Sequence, residues 1–442
     1  MKKTSVFKYF SAVAICSVLL FSSCDVPEYS AETVTAGSNT GKSFTDYNSY
    51  SITPIDSSKV GSDFMRGVDV SEVEALEELG QKWYDSDNTE KDVFKILANH
   101  GVNWVRIRIW NDYTVALNDS WGPYGYNNLK RTIAMAKRAK AAGQKIFLDF
   151  HYSDNWADPG KQYIPEAWKD YVESNGTALE SSAIDITGLS KAVADYTSEV
   201  LNAMKAENCL PEMVQLGNEM QGGIFTRTRT NATSATGSDG IETTLTFDQQ
   251  YTILKAAKKA VKDIDDSILV ALHCTNNRNT LNSFINGFVT NVDPDVVAIS
   301  YYPYYSSHGL DSELAGFMDK IVAKGKKAII AEISYSYDIN AYTDNTNNQF
   351  YTTQETNSAA SLSGYSGVKD NKIVGSIENQ AGVLKYVAEK AGTNCSGIFY
   401  WGGCYLGIEP KTGLKMSSAW ENQALFDVNG KILPSVDVFA MK

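Results

Sequence analysis

Two glutamates in this chain follow apolar runs in a way that ordinary packing does not explain. Glu219 comes after Met213-Val214-Gln215-Leu216 in the context Gly217-Asn218-Glu219-Met220, and Glu332 sits inside Ile329-Ile330-Ala331-Glu332-Ile333-Ser334. A carboxylate at the end of an apolar strand loses hydration, which is costly unless the group is paired or used. Two that face one cleft can divide a reaction between them. One protonates a leaving oxygen while the other attacks or activates water, as cleavage of a glycosidic bond through an oxocarbenium-like transition state requires. The competing use is structural pairing with Arg106, Arg108 or a lysine; two such glutamates, one with Asn218 beside it, favour chemistry.

The elements that must position the pair are legible from Phe64 onward. Short runs rich in Val and Ile alternate with longer amphipathic stretches, the pattern of repeated βα units around a parallel sheet. The runs are Phe64–Val70, Trp104–Ile109, Lys145–Phe150, Met213–Leu216, Ile268–Leu272, Val296–Tyr301, Ala328–Ile333 and Gly397–Trp401. Between the second and third, Leu129, Ile133 and Ala136 share one helical face, Lys130, Arg131, Lys137 and Arg138 face water, and Gly143 ends the helix. With no Gly-rich phosphate loop after any run, the expectation is an α/β fold, a (β/α)8 TIM barrel forming a single catalytic domain. Sites in this fold form at the carboxyl ends of the strands. That rule selects Asp69, Arg108 with Trp110, Asp149 with His151, Asn218 with Glu219, His273, Tyr302, Glu332 and Trp401. No HExxH and no Cys/His cluster points to zinc, and the chemistry needs no cofactor.

The 442 residues, 43% hydrophobic and 21% charged, suffice for one large core, and a formal net charge of −12 disfavours nucleic acid as a partner. A neutral polymer fits better, and the 25 Tyr and 8 Trp offer stacking faces for it as well as core. At the N-terminus, Lys2, Lys3 and Lys8 precede the apolar run Ala12–Phe21, too short for a stable span, so residues 1–23 read as an export signal. The ending Leu20-Phe21-Ser22-Ser23-Cys24 resembles a bacterial lipoprotein processing site, which makes Cys24 the lipidated first residue of an exported protein anchored to the outer membrane, at the cell surface. Residues 24–60 read as a flexible tether and 61–442 as the catalytic domain, acting as a monomer. Cys209, Cys274, Cys395 and Cys404 fall too far apart on the strand map to bridge and are expected as free, buried thiols.

An Asn-Glu closing the fourth strand and a Glu closing the seventh resemble the 4/7 superfamily of retaining (β/α)8 glycosidases. Longer strings narrow the likeness: Gly67-Val68-Asp69-Val70-Ser71, Val105-Arg106-Ile107-Arg108-Ile109-Trp110, the block Asp149–Trp168 and Ser300–Tyr305 look like the endo-β-1,4-galactanases of family 53, from Phe64 to the C-terminus. The resemblance implies Glu219 as acid/base and Glu332 as nucleophile, with hydrolysis of β-1,4-galactan or type I arabinogalactan to galacto-oligosaccharides. It further implies that Asn218 bonds the sugar 2-hydroxyl, Tyr302 holds the nucleophile, Arg108 supports it, and Trp401 floors the subsite where the bond breaks. In the block after the third strand, His151, Asp154 and Asp158 can bond hydroxyls while Trp156, Tyr163 and Trp168 offer stacking faces, though one or two of these aromatics are expected to pack the loop instead. Asp69 and Trp110 join them as binding candidates.

One departure bears on metals. After the eighth run the chain reads Gly402-Gly403-Cys404-Tyr405, where several bacterial relatives carry a longer, calcium-holding loop. Asp344 and Asn348 are the remaining candidates for a structural Ca2+, in a segment with few carboxylates for such a loop. The rival readings are another 4/7 enzyme (mannanase, xylanase or cellulase), sharing the carboxylates without the strand-3 block, and a non-catalytic surface glycan-binding lipoprotein.

Overall fold

The computed structural model describes residues 43–61, 63–111, 127–172, 184–228, 241–243, 245–276, 280–341, 349–407 and 418–441. Cys24, Asp344 and Asn348 lie outside them. Eight parallel strands close a barrel in sequence order: β1 Met65–Asp69, β2 Trp104–Ile109, β3 Lys145–Phe150, β4 Met213–Leu216, β5 Leu269–Thr275, β6 Val296–Ser300, β7 Lys327–Ile333 and β8 Cys395–Tyr400. Helices Val93–Asn99, Leu129–Ala141, Ile186–Ala206, Phe247–Ile264, Leu314–Val322 and Ile377–Ala391 lie between strands. Their starts are chemically marked: Asn128 accepts from the amide of Arg131, Ser376 from that of Asn379, and Thr246 with Gln249 forms a reciprocal capping box. Arg138 departs from expectation, since it reaches Glu74, Glu77 and Asp92 instead of standing in water.

Alternation along the strands divides the barrel interior into two storeys. The apolar one holds Met65, Trp104, Phe147, Met213, Ala271, Val296, Ala298, Ile329, Ala331 and Phe399. Small residues face large ones there; a Cβ on Gly67 would lie 2.0 Å from the Phe399 ring, so only glycine fits. Two residues on, the same faces carry Asp69, Arg106, Asp149, Gln215, His273 and Ser300, all buried. At β7 the pairing with β6 slips between Ile299↔Ile330 and Ser300↔Glu332. A bulge of this kind re-aims a side chain, and it brings Glu332, next to interior-facing Ala331, into the polar storey.

Residues 44–60, expected as part of the tether, are docked on the barrel. Ile55 and Val60 are buried, the Ile55 amide donates to Val438 O at 3.0 Å, Tyr47 donates to Asp427 at 3.0 Å, and Lys431 reaches Thr45 O at 2.9 Å. Apolar side chains spaced among the polar ones dock residues 44–60 on the C-terminal segment, an interaction composition alone hides. Nearby, beside the start of β2, His100 lies between Asp437 (2.6 Å) and Asp85 (2.9 Å), with Asp85 also held by Lys91. Cys209, Cys274, Cys395 and Cys404 are free and buried. No helix among the described residues is long and apolar enough to cross a membrane.

Candidate active site

Glu219 is delivered by a turn that strand geometry alone would not build. After β4 ends at Leu216, Gly217 and then Glu219 itself adopt left-handed backbone (φ 83° and 46°), and the Met220 amide docks on His273 O at 3.0 Å. A non-glycine residue in that region is uncommon and concentrates at functional sites. Its carboxyl lies within hydrogen-bond distance of Ser300 Oγ, at 2.6 Å. Burial, then the charge of Glu332, pushes its pKa up to about 8. Glu332 receives a fuller set of donors: Arg106 Nη1 at 2.7 Å and the Tyr302 hydroxyl at 2.8 Å. Burial raises it as well, but Arg106 and Tyr302 oppose the rise. Ser300 and Tyr302, two residues apart at the end of β6, thus each hold one of the two carboxyls.

Arg106 is the hub beneath them. Its guanidinium reaches Glu332, Asp149 (2.8 Å), Gln215 (3.1 Å), Asn218 (2.9 Å) and Asp69 (3.5 Å). Burial alone would raise Asp149, but the Arg106 charge outweighs it and holds that carboxyl below its ordinary range. The support expected of Arg108 therefore comes from Arg106. Arg108, one β-repeat further along, pairs instead with buried Glu72 and stacks its guanidinium 4.2 Å from the Trp156 ring centroid. Two inward-facing arginines at i and i+2 are indistinguishable in sequence; a rise of about 6.6 Å separates their reach.

Other predicted residues divide into those lining the site and those holding it. Trp110, Trp156 and Trp401 form a chain of edge and tilted contacts, with centroids 5.6 and 6.3 Å apart, that continues through Trp420 at 4.3 Å to Tyr302 at 5.5 Å. His151 takes the Trp110 indole N–H at 3.2 Å and the Ala157 amide at 3.1 Å on Nδ1, and its Nε2 lies 3.3 Å from Asp149. Asp154 caps the turn at Glu166, accepting its amide at 2.7 Å, and Asp69 accepts from the Ser71 amide at 3.0 Å. Asn218 donates to Ala157 O at 2.8 Å. Tyr163 and Trp168 are both buried, and Trp168, packed against Tyr152, Tyr196 and Phe225, belongs to the core and not to the groove. Sequence reasoning missed Ser300, Gln215 and Trp420, and took Arg106 only as a structural partner. The period-2 alternation from Met213 to Gln215 and from Ala298 to Ser300 was the available signal; Trp420 had none. Among the described residues no group of three or more His, Cys, Asp or Glu could hold a metal ion.

The Glycosyl hydrolase family 53 model matches residues 65–439. The chain belongs to that family. It is 31% identical over 418 residues to an endo-beta-1,4-galactanase of Bacillus subtilis (strain 168), with 86% of each chain covered. It is 28% identical to an arabinogalactan endo-beta-1,4-galactanase of Cellvibrio japonicus (strain Ueda107), over 83% of this chain and 88% of that one. Among solved structures, the Ignisphaera aggregans GH53 catalytic domain superposes with a TM-score of 0.69 at 34% identity, covering 88% of this chain and 98% of its own. The chain is a glycoside hydrolase on a TIM barrel.

Proposed function

We propose that this glycoside hydrolase is a retaining endo-β-1,4-galactanase acting on galactan or type I arabinogalactan, with Glu219 as acid/base and Glu332 as nucleophile. The observation that carries the role assignment is the unequal supply of donors. Glu332, with Arg106 and Tyr302 on it, ionises first; Glu219, facing that charge with only a serine hydroxyl, keeps its proton. Pushing two carboxyls apart in this way marks nucleophile and acid. Glu332 attacks the anomeric carbon, Glu219 protonates the departing oxygen, and Glu219 then takes a proton from the water that releases the sugar. Asn218, whose oxygen is committed to Arg106 and Gln215, has a second amide hydrogen to offer the sugar 2-hydroxyl. Trp156, Trp401 and Trp420 supply apolar faces, suited to galactose, whose axial 4-hydroxyl leaves one ring face apolar.

The substrate rests on the galactanase names of the family relatives. It is tested by reducing-end release from potato β-1,4-galactan against mannan, xylan and carboxymethylcellulose: galactan alone should be degraded, and preference for another glycan would overturn the reading. The proposal extends to location, with Cys24 lipidated and the enzyme held at the outer-membrane surface. Cys24→Ala should move activity from the detergent phase to the aqueous phase; unchanged partitioning contradicts the anchor.

A further inference from the structure

The shortest hydrogen bonds around His273 fit together in one way. Asn218 Oδ1 accepts from Arg106 Nη2 at 2.9 Å while Asn218 Nδ2 donates to Ala157 O at 2.8 Å, so the carboxamide cannot be turned over without setting like poles against each other. That oxygen lies 2.7 Å from His273 Nδ1, a short contact that places the ring hydrogen on Nδ1 and outweighs the longer approach of the Glu219 amide to the same nitrogen at 3.4 Å. Gln215 Nε2 also lies 3.2 Å from Nδ1, but its two hydrogens are shared among shorter contacts to Asp149 Oδ1 at 2.6 Å, Asn218 Oδ1 at 2.9 Å and Gly217 O at 3.0 Å. Burial and then the Arg106 charge keep the imidazole neutral, so Nε2 is bare. Nε2 lies 2.9 Å from Ser300 Oγ, which leaves the serine donating to histidine. The hydrogen in the 2.6 Å contact between Ser300 and Glu219 must then come from Glu219.

We infer that His273 and Ser300 form a hydroxyl switch that holds Glu219 in its proton-donating form and turns over when that proton is given up. The inference rests on the acid/base reading of Glu219. Once Glu219 has protonated the leaving oxygen, the Ser300 hydroxyl rotates to donate to the new carboxylate and leaves His273 Nε2 unsatisfied in a buried site, a costly arrangement. The attacking water then loses its proton to Glu219, and Ser300 turns back. No covalent bond of Ser300 or His273 changes. Both are positioning residues. The other groups facing Glu219 are Glu332 and Asp158, whose charges favour its protonated form, Arg106, which opposes them, and Cys274, Tyr302 and Tyr305, which feel its charge.

The test is the basic limb of kcat/KM on galactan. His273→Phe removes the Nε2 acceptor and frees Ser300 to donate to the carboxylate, so the limb should move down by about one pH unit. The opposite tautomer, with Nε2–H feeding Ser300, predicts an upward move; that result, or an unmoved limb, overturns the switch. Residual turnover by Glu219→Gln should lack the limb; if the limb persists there, the acid/base reading is what fails. Should His273→Phe not fold, 15N-histidine NMR of the unaltered enzyme reads the tautomer directly, with His273 assigned by elimination through His100, His151 and His308 variants. A proton on Nδ1 and a bare Nε2 support the switch, and the reverse overturns it.

Discussion

His100 and His273 sit at opposite mouths of the barrel, each with both ring nitrogens engaged, yet their protonation runs in opposite directions. Burial depresses both. Around His100 the hydrogen bonds and charges of Asp437 and Asp85 outweigh it and lift the imidazole to about 9. Around His273 the partners are a carboxamide and a hydroxyl with Arg106 behind them, and burial and the Arg106 charge outweigh the opposing charge of Asp149. Hydrogen-bond number therefore does not decide the state of a buried histidine; the charge of its partners does. One region uses charge to fasten chain segments together, and the other withholds charge so that a proton can stay on a carboxyl.

Removing either carboxyl should give the largest effects in the catalytic region and none on the His100 lock. Glu332→Ala should lower kcat on galactan on the order of 10⁴- to 10⁶-fold. Glu219→Ala should lower it ~10²- to 10⁴-fold, and much less on activated aryl galactosides, which need no proton. Equal losses on both substrates would remove the acid role from Glu219. In the unaltered enzyme, activity should fall as pH rises through about 8, where Glu219 gives up its proton. Glu332→Gln deletes the neighbouring charge, so 13C NMR of Glu219 should show its pKa dropping; an unchanged value would mean that burial alone sets it.

Smaller effects separate the binding wall from the lock. Arg108→Lys keeps a cation for Glu72 but loses the flat stack behind Trp156, worth ~0.5–2 kcal/mol, so KM should rise about 2- to 30-fold with kcat nearly kept. A fall in kcat alone would return Arg108 to the nucleophile. Because the folded pKa of His100 is raised, its contribution is complete below its unfolded value near 6.5 and is lost as pH rises through about 9. At the acid end, Asp85, held below its ordinary range, loses its contribution as pH falls through its folded pKa. His100→Gln should therefore flatten the stability profile between pH 6.5 and 9, costing about 1–2 kcal/mol at pH 6 in urea titrations, with kcat unchanged. A profile as steep as before would assign the slope elsewhere.

Much of the barrel was legible because strands buried on both faces are continuous apolar runs; β2, β3 and β4 fall on the expected bounds. β5 was read as Ile268–Leu272 and runs to Thr275, since inward-facing His273 and Thr275 look like loop residues once the apolar run stops. Glu219 and Glu332 stood out as charges in apolar contexts. Hidden from sequence were the left-handed turn at Glu219, the slipped register at Glu332 and the choice of Arg106 over Arg108. Each depends on the local course and rise of the backbone, which side-chain type does not encode.

The central assignment is tested most directly by the stereochemistry of azide rescue on an activated β-galactobioside. Without Glu332, azide enters the space left on the α face in a single displacement, so Glu332→Ala should yield the α-glycosyl azide. Without Glu219 the covalent intermediate still forms, and azide attacks it from the β face, so Glu219→Ala should yield the β-glycosyl azide. Exchanged products would reverse the two roles, and full activity in both variants without azide would show that this pair does not carry the reaction.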